Sequence, residues 1–198
     1  MKHVFMLIIL ATTIAFSQEI PSKEDQIAAA VLAAPQQFRA DATVLGYDST
    51  GKFVTLRKGS NSMICLADDP KKPGFSAAAY NKALEPFMAR GRQLRAEGKT
   101  SAEKFQIREE EAKSGKLKMP EKGATLHIYY SRDGEYDPQT GTVPNAKYRA
   151  VVYLPWATAE STGLPIEPGV PGAPWIMDPG THRAHIMIVP PAQVQAQE

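Results

Sequence analysis

Apolar and polar positions divide this chain into stretches of two different periods. In "SKEDQIAAAVLAAP", Ile27, Val31 and Ala34 share one helical face. Ser22 is placed to cap the start, and Glu24 and Asp25 fall in the first turn, where the helix dipole favours acids. Pro35 pushes its predecessor out of the α region, so the pattern predicts a short helix of about ten residues. Alternation follows. Thr43, Leu45 and Tyr47 interleave with Ala42 and Val44, "DSTGK" is a turn, and "FVTLRK" places Val54 and Leu56 on one face. "GSNS" reads as another turn, and "MICLA" as a third strand, apolar on both faces and therefore covered. Together these predict an antiparallel three-strand meander.

Helical spacing returns in "FSAAAYNKALEPFMARGRQLRAEG", where Tyr80, Leu84, Phe87, Met88 and Leu94 form an apolar stripe ended by Gly98. Pro86 conflicts with a continuous helix unless it stands in the first turn of a second one. Thr100 and Glu103 then make a capping box for a further helix, whose apolar face is thin: Ala102, Phe105 and Ala112. The second half alternates again. Leu126, Ile128 and Tyr130 oppose Thr125, His127 and Tyr129, and "KYRAVVYLP" and "AHIMIV" read as further strands. Between the last two lie most of the eight prolines found from Pro155 to Pro191, a density that forbids regular helix.

Strands cluster here instead of alternating with helices. The expected class is therefore α+β: a mostly antiparallel sheet, built from the N-terminal meander and the C-terminal strands, with two or three helices packed on one face. The expected organisation is a signal peptide over 1–17, a single domain over 18–191 with a Pro-rich loop at about 155–181, and a disordered tail over 192–198.

The N-terminus defines the expected compartment. Lys2 precedes an uncharged apolar run from Val4 to Phe16, and Ala15 and Ser17 are small residues placed for cleavage before Gln18. The run is shorter than the roughly 20 residues a spanning helix needs, and no second run approaches that length, so no stable membrane insertion is expected. The protein is read as exported, to the periplasm or beyond. Cys65 is the sole cysteine, so no internal disulfide supports the fold, and its apolar neighbours Ile64 and Leu66 mark it as a buried strand residue. A net charge of +2 gives no case for nucleic acid as a partner. The segment from Lys82 to Lys122 carries eleven basic and seven acidic residues, a mixture that suits a solvated helix pair.

Candidate chemistry is sparse. Phosphate loops, nucleophile elbows and paired-His metal helices are missing from the sequence, and no cofactor is implied. Asp133, Glu135 and Asp137 resemble half a calcium loop, without the glycine and distal glutamate that complete one; a polar turn is the expectation. His127, His182 and His185 form a His₃ set suited to zinc if the chain turns at Arg183 or Ala184, with Asp178 as a ligand or an orienting carboxylate. The competing expectation has His185 hydrogen-bonded at the start of a strand and His182 exposed on a loop, so that losing His182 is nearly silent. Trp156 and Trp175, with Tyr129 and Tyr153, offer aromatic faces for a sugar or peptide; loop anchoring, above all by Trp175, is the expected role.

"LRKGSNSMICLADDP" together with "APWIMDPGTHRAHIMIVP" resembles a family of exported bacterial proteins with no assigned activity. The resemblance implies one domain joining the N-terminal strands to the terminal loop, and brings no ligand or catalytic residue. The expected function is a binding or structural module of the envelope or extracellular space, with an envelope protein or glycan as partner. The alternative is a metal-assisted hydrolase using the His cluster. Export predicts that protein recovered from periplasm or medium begins at Gln18. Intact mass spectrometry checks this, and a membrane-bound form retaining Met1 contradicts it.

Overall fold

In the computed structural model, which describes residues 19–191, eight strands form one mixed sheet. They are β1 (Thr43–Tyr47), β2 (Phe53–Arg57), β3 (Met63–Leu66), β4 (Phe75–Asn81), β5 (Ala124–Ser131), β6 (Lys147–Tyr153), β7 (Trp175–Met177) and β8 (His185–Ile188). The order is β2-β1-β3-β4-β5-β6-β8-β7. Every pairing is antiparallel except that of β1 with β3. Four α-helices accompany the sheet among the described residues: α1 (Lys23–Ala30), α2 (Glu85–Ala96), α3 (Ser101–Lys113) and the single turn α4 (Ala159–Thr162). The α+β class with a mostly antiparallel sheet therefore holds. The signal segment 1–17 and the tail 192–198 lie outside the described residues.

The expected meander is only half present. β1 and β2 form the hairpin, turning at Gly51 with φ +80°. β3 then passes to the other side of β1 and runs parallel to it. "GSNS" is thus a crossover beneath the start of β1. Ser60 and Asn61 donate their backbone N–H groups to Asp41 O, and Asn61 Nδ2 reaches Phe38 O at 2.7 Å. Crossing this close requires Gly59, whose missing Cβ would lie 2.3 Å from the backbone of Asp41, Ala42 and Thr43. The swap places β3, apolar on both faces, inside the sheet, where its burial stabilises most.

The helix expected from Phe75 begins only at Glu85. Its first seven residues are β4, followed by a 3₁₀ turn over Lys82–Leu84 that Asn81 caps through Ala83 N. Pro86 lies in the first turn of α2, where its missing N–H costs nothing. Small residues explain the misreading: Ala77, Ala78 and Ala79 suit a helix by propensity, and only pairing to β3 and β5 makes them a strand.

Two apolar clusters occupy opposite faces of the sheet. On one face, Ala29, Ala30, Ala33 and Ala34 from α1 and its 3₁₀ extension pack with Val44, Cys65, Ala77 and Ala79. On the other, Leu84 and Phe87 pack with Tyr80, Leu126, Val151, Tyr153 and Met187. Helices therefore cover both faces, which corrects the one-face arrangement. A sheet whose central strands are apolar on both sides requires two coverings. Cys65 is fully buried, as its neighbours implied, and burial pushes its thiol up to about 11. The N-cap read at Ser22 and the capping box read at Thr100 and Glu103 both form as expected.

Gly59→Ala is expected to destabilise the protein by about 3 kcal/mol, because its new methyl meets only backbone, which cannot rotate away. Gly169→Ala, in open space, should change stability by less than about 0.5 kcal/mol. Urea melts of the two variants check the contrast.

Candidate functional site: a carboxylate-rimmed cavity, and a buried histidine clamp

The strand register decides what becomes of the three histidines. His127 pairs with Ala79 and Ala150, while His185 pairs with Tyr153. Counting alternation along β6 from Ala150 to Tyr153 puts His127 on the α1 face and His185 on the α2 face. The His₃ set therefore does not converge. Among the described residues, no group of three or more His, Cys, Asp or Glu is placed to hold a metal. The Tyr148 hydroxyl lies 2.5 Å from His127 Nδ1, and burial holds this imidazole below its usual value.

The chain does turn at Thr181–Ala184, as convergence of His182 and His185 would need. The turn serves another purpose. His182, expected to be exposed, has no exposed surface at all. Glu109 Oε2 on α3 accepts both its backbone N–H, at 3.0 Å, and its ring Nδ1–H. Phe87 and Phe105 flank the ring, with centroids 5.8 and 5.0 Å away. A carboxylate on Nδ1 with a free Nε2 is the tautomer of a general base. Here Nε2 is buried and has no partner, so the pair clamps the terminal loop to α3 and offers no access to a substrate. Burial alone would raise the Glu109 carboxyl, but hydrogen bonds from Lys113 and from His182 outweigh it and bring it down to about 2. Burial lowers His182 more than Glu109 raises it, so the imidazole is neutral at pH 7.

Its neighbours are equally committed. Asp178 receives Arg183 Nε at 2.7 Å and stands 3.9 Å from His185 Nδ1. His185 opens β8 and donates Nδ1–H to Arg183 O at 2.7 Å, as expected. Burial lowers its imidazole too, against the opposing pull of Arg183 O and Asp178. The aromatic set is split: Tyr129 lies on the α1 face, and Tyr153 and Trp175 on the other. Trp175 is partly buried and packs against the core cluster, whereas Trp156 is 41% exposed. Asp137 serves its own turn, accepting from Gln139 N and Thr140 Oγ1.

The arrangement that sequence reading missed lies at one end of the α1 face. Three segments distant in sequence enclose a cavity of about 220 Å³: Glu19–Ala29 at the start of α1, Ala67–Phe75 between β3 and β4, and Glu135–Pro138 after β5. Pro21, Ala29, Ala67, Phe75, Tyr136 and Pro138 supply apolar wall, and Glu19, Asp25, Asp68 and Glu135 supply carboxylates. Asp25 caps α1 with Ser22, and Asp68 Oδ1 accepts from Ser76 N at 2.9 Å. Burial pushes the Asp68 carboxyl up to about 6, despite that bond. Only the triad in "DGEYDPQTG" drew attention in the sequence, and Glu135 alone of it reaches this cavity.

His182→Ala is expected to cost about 2–4 kcal/mol, because it leaves a void between two rings and strips the Glu109 carboxylate of its ring donor. Three imidazoles have lowered native values, so the unfolded chain binds more protons just below pH 6.5. These groups therefore make stability fall as pH drops from about 6.5, and His182→Ala should flatten that slope. Urea melts between pH 5 and 7.5 measure both effects, and a silent variant would overturn the clamp.

Searches of protein-family models, curated proteins and solved structures find no match to this chain, so the site rests on its geometry alone.

Proposed function

We propose that this chain is an exported binding module of the bacterial envelope or extracellular space, and that its ligand seat is the cavity between α1, the β3–β4 connection and the segment after β5. The observation that carries this reading is the cavity itself: apolar walls around a space with acidic residues among its lining is the usual form of a small-ligand site. The reading also suits the arrangement of polar side chains elsewhere. His182, His185, Asp178 and Asp137 each spend their hydrogen bonds on holding a turn or joining elements. A metal-assisted hydrolase on His127, His182 and His185 loses its support, because the sheet separates the first from the other two.

Among the described residues, no helix is long and apolar enough to cross a membrane. The export part of the proposal rests on the N-terminal pattern, and the mass measurement described above tests it.

A fragment screen by backbone-amide NMR tests the site. Binding fragments should shift amides of residues 67–75 and 135–138 together, since both segments line the cavity. Hits confined to other surfaces, or none, would sink the reading.

A further inference from the structure

We infer that Trp156 and the open groove beside it form a carbohydrate seat, on which one pyranose ring of a neutral glycan stacks. The groove shares no lining residue with the cavity at α1, so this inference stands apart from that reading.

The backbone supplies the first observation. After β6 the chain runs "LPWA", and Ala157 N donates to Leu154 O at 3.0 Å, which closes a tight turn. Pro155 stands second in that turn and Trp156 third, with φ +69°. A proline followed by a positive φ is the type II arrangement, whose third position favours glycine. The other non-glycine residues at positive φ among the described residues are Asn145 and Asp178, types that tolerate this region; a bulky indole does not. The turn cannot relax, because the terminal loop holds it. Leu154 N donates to Ala184 O, Trp156 N to Thr181 O, and Gly180 N to Ala157 O, at 2.9, 2.8 and 2.8 Å.

Burial does not offset this strain. Trp156 is 41% exposed and belongs to neither core cluster, whereas Trp175 packs on one of them. A large apolar side chain held at a glycine position, and left in water there, serves something other than stability.

The groove supplies the ligand class. It measures about 380 Å³, and three segments form it: Glu121 and Lys122 before β5, the Trp156 turn, and Ser161 and Thr162 of α4. Gly123 lets the first segment lie close to the second, since a Cβ there would stand 3.3 Å from the Val152 and Leu154 side chains. The indole face is flat and apolar, and the C–H face of a pyranose buries apolar area against such a surface. The rim is polar and balanced in charge. Glu121 accepts, Lys122 donates, and together they favour neither an anion nor a cation. Ser161 and Thr162 give their hydroxyl protons to Thr158 O, so their oxygens face a ligand as acceptors. Sugar hydroxyls both donate and accept, and the sugar ring itself is uncharged. A proline-rich peptide would use the indole but not the paired charges, and an anionic lipid surface would meet Glu121 as well as Lys122. Because the groove is open, the glycan can continue past the stacked ring.

The sequence holds two tryptophans, so the purified protein gives two indole N–H signals by NMR. Cellotetraose or chitotetraose, whose β-linked rings present flat faces, should shift the Trp156 signal and the amides of residues 121–123 and 154–162. The Trp175 signal should stay in place. Glycerol, which has hydroxyls but no ring face, should be silent. Trp156→Gly should weaken sugar binding about tenfold, the scale of losing one stacking aromatic, and its urea midpoint should equal or exceed the parent's, because glycine relieves the turn. Glu121→Gln, on the exposed rim, should weaken binding less and leave the midpoint unchanged. A Trp156→Gly midpoint well below the parent's would make the indole an anchor and overturn the proposal. Shifts caused by phosphatidylglycerol vesicles or a blocked proline-rich peptide, and by neither sugar, would give the groove to another class of ligand and overturn the glycan inference. If no probe shifts the Trp156 signal, the seat itself is overturned.

Discussion

Ala77 and Ala79 have no exposed surface, because the alanines of α1 and its 3₁₀ extension lie directly against them. This contact between two small-residue surfaces sets the architecture. A strand of larger residues would hold α1 away from the sheet, and a helix of larger residues would not fit beneath it. On the opposite face the same strand presents Tyr80, which reaches Glu85 and Arg92 and so binds β4 to the helix it leads into. Strand β4 therefore joins the two layers of core. The eight-stranded sheet extends outward from it in both directions, to β2 at one edge and β7 at the other.

Away from that centre, apolar packing thins and polar contacts take over. α3 has few apolar residues, and it is held by the two-pronged Arg90–Glu111 pair, by Arg108 lying 4.0 Å over the Phe87 ring, and by Glu109 on His182. The last of these spans 73 residues and fixes the terminal loop as well as the helix. One carboxylate thus orders two elements that share little apolar surface. The cost is an imidazole nitrogen left without a partner, which the clamp tolerates because the neutral ring keeps charge out of an aromatic pocket.

The cavity is a by-product of the same plan. The first turn of α1, the β3–β4 connection and the segment after β5 meet without filling the space between them. Such junctions of separate segments are where a fold can leave room without losing its core, and binding sites are common there.

Local chemistry was legible in the sequence. Caps at Ser22 and Thr100, the stop at Gly98, the turn at Gly51, and the position of Pro86 in a first helical turn each depend on one or two neighbouring residues, and each stands as read. So does the burial of Cys65. Only the tertiary structure decided the rest. Whether "FSAAAYN" is helix or strand depends on the partners it finds, because alanine suits either. The place of β3 beside β1 depends on a crossover that a single glycine permits. His127 and His185 part company because alternation along a strand says which residues share a face, but pairing between strands says which face, and pairing is a property of the whole sheet.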